Sequence, residues 1–484
     1  MLPVRGARLA GLATAGLCGA LVCGCAVEKP LQLPQLSPAA FEHAAATHAA
    51  SWPAQDWYRT FGSDELNVLV DFAASNSTDL ASARERVVQA DARARQAGAA
   101  ILPSVAGNAS GTYFAGHSQQ GSGHELDWFA MLSTSYEVDF WGKNRATAHA
   151  ALLQARASRA EQDTVALTIL AGVADEYFGV LALRERLRIA RSNRDAAQQL
   201  LDAVQARFDA GAATVAEVAA QRAALDKAQI AISDLEQLET QARAALALLL
   251  GRVPEKFDVA GQSLDALREP VVSAGLPSEL LQRRPDVAAA EANLRAASAD
   301  LAAARAAMFP SLALTAGAGV QNPALPAAVL TIAGVGPSFE LGASLTQPIF
   351  DHGRRQAQRE EAAARERGLL ASYRAAIIAA LVDVENALGA LQHLDATREF
   401  EKGTLEESER AFAAASSRYR AGSGDFLTLL ESQRALYAAR DEFAQYKLAR
   451  LQALIALCKA LGGGWNVSGA PPAAAPAGDR QAAS

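Results

Sequence analysis

Cysteine and histidine are the side chains of this sequence best suited to metal binding, redox chemistry or nucleophilic attack. The 484 residues include 4 cysteines and 7 histidines, and the histidines are dispersed, with no His or Cys at the spacing of metal ligands. No phosphate-cradling glycine loop precedes a helix, and no serine forms the centre of a nucleophile elbow. We therefore expect no catalytic residue, no metal and no dissociable cofactor, and we predict that the protein is not an enzyme.

One cysteine stands where a covalent lipid would be attached. Two arginines near the start of the chain and the apolar run Leu9–Val22 precede Gly24 and Cys25. A basic start, a short apolar stretch and small residues before a cleavage point describe a secretory signal peptide, here residues 1–24. Because its end resembles a bacterial lipobox, Cys25 is predicted to be the lipidated first residue of the mature chain, with a plain secretory signal as the alternative. The residue after Cys25 is Ala26 and not Asp, which is compatible with sorting of the lipoprotein to the outer membrane.

Charge and composition narrow the class of protein further. The formal net charge of -7 argues against a nucleic-acid partner, because such partners usually demand a basic surface. Hydrophobic residues make up 50% of the sequence but aromatic residues only 6%, and alanine supplies much of the hydrophobic share. Such a composition favours long helices whose backbones approach closely. After Cys25 no stretch approaches the roughly 18 to 20 apolar residues of a spanning helix. Any membrane crossing is therefore expected to use β-strands.

Sequence landmarks recur at a nearly constant offset, which indicates a tandem duplication. Asp79 and Pro103 correspond to Asp286 and Pro310 with one shared offset, and later landmarks keep almost the same register. Each copy reads as one helix, two strands and two helices. The predicted organisation is an N-terminal segment 25–65, a first repeat 66–250, a linker 251–277, a second repeat 278–461 and a C-terminal segment 462–484 whose tail is expected to be disordered.

Long proline-free tracts in each copy predict very long helices, because proline costs roughly 3 kcal/mol inside a helix. The first such helix is expected over Lys143–Asp209, about 100 Å at 1.5 Å per residue, and its copy over Arg354–Arg420. Gly211 and Gly422 then end these helices. Each copy therefore carries a helical hairpin with a tight tip, although this segment alone would also suit a dimeric coiled coil.

Between the helices of each copy the hydrophobic period changes from 3.6 to 2, which predicts strands. Alternation places Glu137, Asp139 and Glu340 on the polar face, where they would line the lumen of a barrel. An ordinary sheet packed on the helices is the alternative. The four predicted strands cover about 104–116, 127–140, 311–321 and 338–350.

The edges of those strands decide how many copies are needed. In hydrocarbon every backbone donor and acceptor must be paired, so a membrane sheet must close on itself. Four strands cannot close, because barrels begin at about eight. If the strands cross a membrane, the chain must form an oligomer.

Four segments give the sequence a family resemblance. The chain resembles the TolC-like outer-membrane factor family, and in particular the lipoprotein branch that serves resistance-nodulation-division efflux pumps. The resemblance covers nearly the whole mature chain. The segments that carry it are Trp57–Leu66, Tyr136–Arg145, Arg284–Val287 and Arg418–Gly422.

The resemblance implies a mainly α fold with a membrane β-barrel. Three chains would share a twelve-stranded barrel, continued by a long α-helical barrel in the periplasm and encircled by a mixed belt. The protein would be a passive outer-membrane conduit for small molecules such as drugs, working with a periplasmic adaptor and an inner-membrane pump. A protein-export or heavy-metal channel is the related alternative, and a lipid-anchored periplasmic scaffold without a pore is the alternative from another class.

The resemblance also implies a gate at the periplasmic tip. In the family this gate consists of an apolar residue, an acidic residue one helical turn later and a basic residue beyond it. The matching positions in this sequence are Leu427, Glu431 and Arg434, which share one helix face. Relatives of this branch more often have Asp where Glu431 stands, and a plain exposed helix surface is the alternative. Candidate adaptor contacts at the tips, for which helix capping alone is the alternative, are Arg207, Phe208, Gly211, Arg418, Tyr419 and Gly422.

Overall fold

Two long helical hairpins and one four-stranded sheet make up most of the structure, a computed structural model that describes residues 41–43, 52–118, 121–272, 277–326 and 336–465. The predicted signal peptide, the lipidated Cys25 and the tail after residue 465 lie outside the described residues. Short helical turns cover Trp57–Phe61, Pro254–Lys256 and Pro277–Leu280. The longer elements are α1 (Asp64–Asn76), α2 (Thr78–Ala99), β1 (Ser104–Ser118), β2 (Gly121–Val138), α3 (Lys143–Asp209), α4 (Val215–Leu249), α5 (Pro285–Ala306), β3 (Ser311–Pro326), β4 (Gly336–Thr346), α6 (Arg354–Arg420) and α7 (Phe426–Ala460).

The two halves of the chain have the same order of elements and helices of the same length. Helices α2 and α5 have 22 residues each, α3 and α6 have 67, and α4 and α7 have 35. Glycines with positive φ mark corresponding places in both halves, at Gly142 and Gly353 before the long helices and at Gly211 and Gly422 after them. Each half therefore places its strands at one end of a long helix and its hairpin tip at the other.

The sheet is an antiparallel meander in the order β1-β2-β3-β4, so the pairing of β2 with β3 joins the two halves. The register places Leu132, Ala318 and Phe339 side by side, whereas Ser133, Gly317 and Glu340 lie on the opposite face. The apolar face is open to its surroundings, and Leu341 on it is 90% exposed. Within the described sheet, β1 and β4 each pair on one side only.

The strand bounds differ from the predicted ones at most ends. β1 continues to Ser118 and β2 begins at Gly121, so the predicted loop between them is much shorter. β3 likewise continues to Pro326. Backbone pairing does not require alternating side chains, and the sequence prediction ended these strands where the alternation ended. β4 ends at Thr346 because Pro348 cannot donate a ladder hydrogen bond.

Helix α3 is the central element, because it packs against α1, α2, α4, α5 and α7. Its buried Phe178 contacts Phe61 with ring centroids 5.0 Å apart, in a core that also contains Leu66 and Phe257. Glu65 ties the segment 251–272 between the two halves, called the belt below, to this core, since its carboxylate accepts hydrogen bonds from the backbone N–H groups of Ala260 and Gly261, at 2.6 and 2.9 Å. The N-terminal segment and the belt thus share one core with the long helix.

Both 67-residue helices contain a stretch that is long and apolar enough to cross a membrane by composition alone. The mean hydropathy of these stretches is 1.6 in α3 and 1.4 in α6, so the prediction that no such stretch follows Cys25 was wrong. The prediction had looked for an uninterrupted apolar run, whereas the apolar residues of α3, such as Leu167, Ile169 and Phe178, are interrupted by polar and charged ones. Half of the stretch in α3 is buried against the neighbouring helices, which is also typical of a core helix.

Arg284 joins three helices at the start of the second repeat. It is 8% exposed, and its guanidinium donates to Asp286 at 2.6 Å, to Asp383 at 2.9 Å and to the carbonyl of Ala460 at 3.2 Å. Pro285 follows at the first helical position, where a missing N–H costs nothing. Arg284 therefore ties the start of α5 to the middle of α6 and to the end of α7.

Replacing Arg284 by Ala should lower the free energy of unfolding by about 2 kcal/mol, because Ala leaves the carbonyl of Ala460 and two carboxylates without their donor. Thermal unfolding of the purified protein, followed by circular dichroism, measures the effect. The matched control is Arg410→Ala, whose partners Glu406 and Glu407 are solvent-exposed and whose loss should stay within about 0.5 kcal/mol. Equal effects of the two substitutions would contradict the role given to Arg284.

Candidate channel site

The carboxylate of Asp139 caps the start of α3, at the junction between β2 and α3. β2 ends at Val138, and Asp139 accepts hydrogen bonds from the backbone N–H groups of Asn144 and Arg145 at 3.0 and 2.8 Å, and from the Arg145 side chain at 3.1 Å. The structure therefore places Asp139 after the strand, as a cap of the helix N-terminus, rather than on the polar sheet face as predicted. The alternation rule failed here because a short side chain before a helix is used for capping.

The other two predicted acids do lie on the polar face of the sheet. Glu137 forms an ion pair with Lys143 at 2.6 Å, which leaves it partly neutralised. Glu340 is exposed and lies over Gly317, where a Cβ would come within 2.8 Å of Cγ of Glu340. Glycine at this position lets the Glu340 side chain lie against β3. Of these two predicted acids, one is therefore paired and the other exposed.

Both hairpin tips are closed by local hydrogen bonds. At the first tip Thr214 and Glu217 form a reciprocal capping box, with Glu217 accepting from the backbone N–H of Thr214 at 2.7 Å. At the second tip Asp425 accepts from the backbone N–H and the hydroxyl of Thr428 at 2.8 and 2.6 Å. These bonds lower the pKa of Asp425, because they stabilise its charged form.

The two tips are held together by one aromatic ring. Tyr419 is 2% exposed and packs with Leu200, Val204, Phe426, Leu429 and Leu430. Arg207 reaches across from the first hairpin, with its guanidinium 4.4 Å from the centre of the Tyr419 ring and a 2.8 Å hydrogen bond to the Tyr419 carbonyl. Among the six tip residues, Phe208, Gly211, Arg418 and Gly422 are exposed, whereas Tyr419 is a core residue. Tyr419 is therefore unavailable as a surface contact in this structure.

The predicted gate residues share an exposed face of α7. Leu427 is 62% exposed, and Glu431 and Arg434 are exposed beside it, whereas Leu429 and Leu430 of the same helix are buried. Spacing of i, i+4 and i+7 gives this common face. An apolar side chain this exposed at a hairpin tip is available to a neighbouring chain.

Sequence reasoning missed a seam of polar pairs between α3 and α7. Arg186 donates to both carboxylate oxygens of Asp441 at 2.6 and 3.0 Å. Lys447 forms ion pairs with the buried Glu185 and, at 2.7 Å, with Asp265 of the belt. The Lys447 ammonium lowers the pKa of Asp265, while its two carboxylate partners outweigh burial and raise the pKa of Lys447. The charges are far apart in sequence, so no local pattern revealed them.

The sheet with open edges and one exposed apolar face, continued by helical hairpins, is the fold of solved outer-membrane channels. The solved structure of the outer-membrane channel OprN superposes with a TM-score of 0.84 at 26% identity, covering 91% of this chain and 100% of that one.

The sequence comparisons agree. The chain belongs to the outer membrane efflux protein family, whose model matches residues 69–252 and 276–463, and the family resemblance inferred from the sequence is thereby confirmed. The pyoverdine export outer membrane protein OpmQ of Pseudomonas aeruginosa is 43% identical over 446 residues, 90% of this chain and 93% of that protein. The protein of the same name from Pseudomonas putida is 40% identical over 456 residues, 91% and 95% of the two chains.

The Tyr419 ring and its hydroxyl should contribute differently to stability. Within the described part of the chain the buried hydroxyl has no hydrogen-bond partner, so Tyr419→Phe should leave the free energy of unfolding unchanged within about 0.5 kcal/mol or raise it. Tyr419→Ala should lower the free energy of unfolding by about 3 kcal/mol, because loss of the ring leaves a cavity between the hairpins. Thermal unfolding of the purified variants tests both values. A loss in the Phe variant as large as in the Ala variant would show that the hydroxyl, and not the ring, holds the tips.

Proposed function

We propose that three copies of this chain form one twelve-stranded barrel in the outer membrane and act as a passive conduit for small organic molecules. The observation that carries the proposal is the four-stranded sheet, with its exposed apolar face and its single-sided strands β1 and β4. In lipid those edges must find partners. A second and a third copy supply them, and the apolar face then contacts hydrocarbon while Glu340 faces the lumen.

The helical hairpins would continue this barrel into the periplasm. At about 100 Å, helices of 67 residues are long enough to carry a tunnel well beyond the membrane. A lipid on Cys25 would anchor the chain, and the exposed tip residues Phe208 and Arg418 would meet a periplasmic adaptor coupled to an inner-membrane resistance-nodulation-division pump. Each of the three chains would place Leu427, Glu431 and Arg434 around the channel axis, and these side chains would narrow the tip.

The cargo is proposed to be a small molecule of the pyoverdine kind or a drug. The names of the relatives at 43% and 40% identity describe pyoverdine export, which supports the first of these over protein secretion or metal efflux. In a Pseudomonas aeruginosa strain that lacks OpmQ, expression of this chain is expected to restore extracellular pyoverdine, measured by mass spectrometry of the medium. Restored drug resistance without pyoverdine export would favour the drug cargo instead.

Purified protein reconstituted in a planar bilayer should give discrete, stepwise currents, because a closed barrel with a polar lumen conducts ions. Gel migration of unheated against heated samples reports the assembled barrel in the same preparation. An assembled, membrane-inserted protein without conductance at any voltage would favour a lipid-anchored scaffold and contradict the conduit.

Shortening the gate side chains should widen the tip. Leu427→Ala and Glu431→Ala are each expected to raise single-channel conductance by about twofold or more and to increase antibiotic entry into cells, because each change removes three side chains from one constriction. The control is Ile230→Ala, which shortens a similarly exposed apolar residue on α4. Correctly assembled gate variants that conduct like the control would refute the assignment of these residues.

A further inference from the structure

A cavity of about 490 Å³ lies between α3, α4 and α7. On α7 it extends from Gln433 to Asp441, so it includes Arg434 of the proposed gate face and continues away from the tip. Its floor is α3, and its apolar wall includes Ile189, Ala224 and Leu235. A volume of this size is within the usual range for small-molecule sites, which combine apolar walls with a few placed polar groups.

One polar atom in the wall lacks a partner, and its orientation is fixed by its neighbours. The hydroxyl of Tyr437 donates to the carbonyl of Asn193 at 2.7 Å, so towards Gln433 it can only accept. The amide nitrogen of Gln433 donates to it at 2.8 Å. Burial raises the pKa of Tyr437, which keeps its donated hydrogen in place.

The amide oxygen of Gln433 must therefore point away from Tyr437. Gln433 is 1% exposed, and this oxygen has no hydrogen-bond partner among the described residues. Buried polar atoms are nearly always hydrogen-bonded, so an unpartnered acceptor in a cavity wall indicates an unmet need for a donor. A ligand that supplies an N–H or O–H would satisfy it.

The charges around the cavity favour an anion. Arg186 and Asp441 neutralise each other through their two-point ion pair. Lys227 of α4 and Arg434 of α7 form no salt bridge within the described ranges, and neither does the acid Asp234. The lining therefore carries two cations without an ion pair, one on α4 and one on α7, and one such carboxylate, on α4.

We propose that this cavity binds a small amphipathic organic anion. Its apolar ring would lie on the alanine and leucine wall, its N–H or O–H would donate to Gln433, and its acidic group would lie between Lys227 and Arg434. The consequence for transport rests on the proposed conduit function: the channel would then contact its cargo above the tip and would favour acidic, ring-containing molecules over neutral ones.

Three probes separate these contributions in the full-length protein, purified and embedded in lipid nanodiscs. Indole-3-acetate carries a ring, an N–H donor and a carboxylate, indole-3-acetamide lacks the charge, and 1-naphthylacetate lacks the ring donor. Equilibrium dialysis should give the tightest binding for indole-3-acetate, by about fivefold over each of the others, since one exposed charge or one neutral hydrogen bond contributes about 1 kcal/mol. Equal affinities for the three, or no binding to assembled protein, would overturn the proposal.

Variants locate the site. Lys227→Gln should weaken the two anionic probes about fivefold and leave the amide unchanged, and Gln433→Leu should weaken the two indoles and spare 1-naphthylacetate. Ala231→Trp should fill the cavity and abolish binding of all three, whereas Lys402→Gln, an exposed charge on α6, should change nothing. Unaltered binding in Ala231→Trp would overturn the assignment. A preparation that conducts but binds no probe contradicts only this inference, and one that binds but never conducts contradicts only the conduit.

Discussion

Hydrogen-bond pairing of the strand edges is the constraint on which the rest of the structure depends. A meander of four strands leaves one row of donors and acceptors on β1 and another on β4. Water can satisfy those groups but hydrocarbon cannot, at a cost of several kcal/mol for each unpaired group. The exposed apolar face makes water an unsuitable surrounding for the sheet, so the open edges and the apolar face together support the proposed assembly of several copies side by side in a membrane.

The same constraint explains why both halves of the chain are needed. Each half contributes only two strands, and the contact of β2 with β3 makes them one sheet. Such a contact between halves must be matched at the far end of the long helices, or the two hairpins would diverge. Tyr419 and Arg207 provide that match at the tips. Arg284 instead joins α5, α6 and α7 within the second half. The two halves are therefore held together at both ends of the long helices.

The long helices and the faces of the strands could be predicted from the sequence because both depend on local rules. The absence of proline over α3, with Gly211 after it, sets the helix length, and the two-residue period separates the face of Leu341 from that of Glu340. The role of Asp139 could not be predicted by the same rule, because one residue beyond a strand its carboxylate serves a helix instead. The burial of Tyr419 depends on a hairpin about two hundred residues away, for which no local pattern exists.

The seam between α3 and α7 shows why such distant polar pairs matter between alanine-rich helices. Small side chains pack similarly in several registers, so apolar contact alone would let α7 slide along α3. Sliding would separate Arg186 from Asp441 and Lys447 from the buried Glu185, and an unpaired charge in such surroundings costs several kcal/mol. The ion pairs therefore select one register, whereas the tip below them is held by Tyr419 and its apolar neighbours, whose contacts tolerate small rotations. A change in the width of the tip would then involve the residues below Gln433 and leave the seam intact.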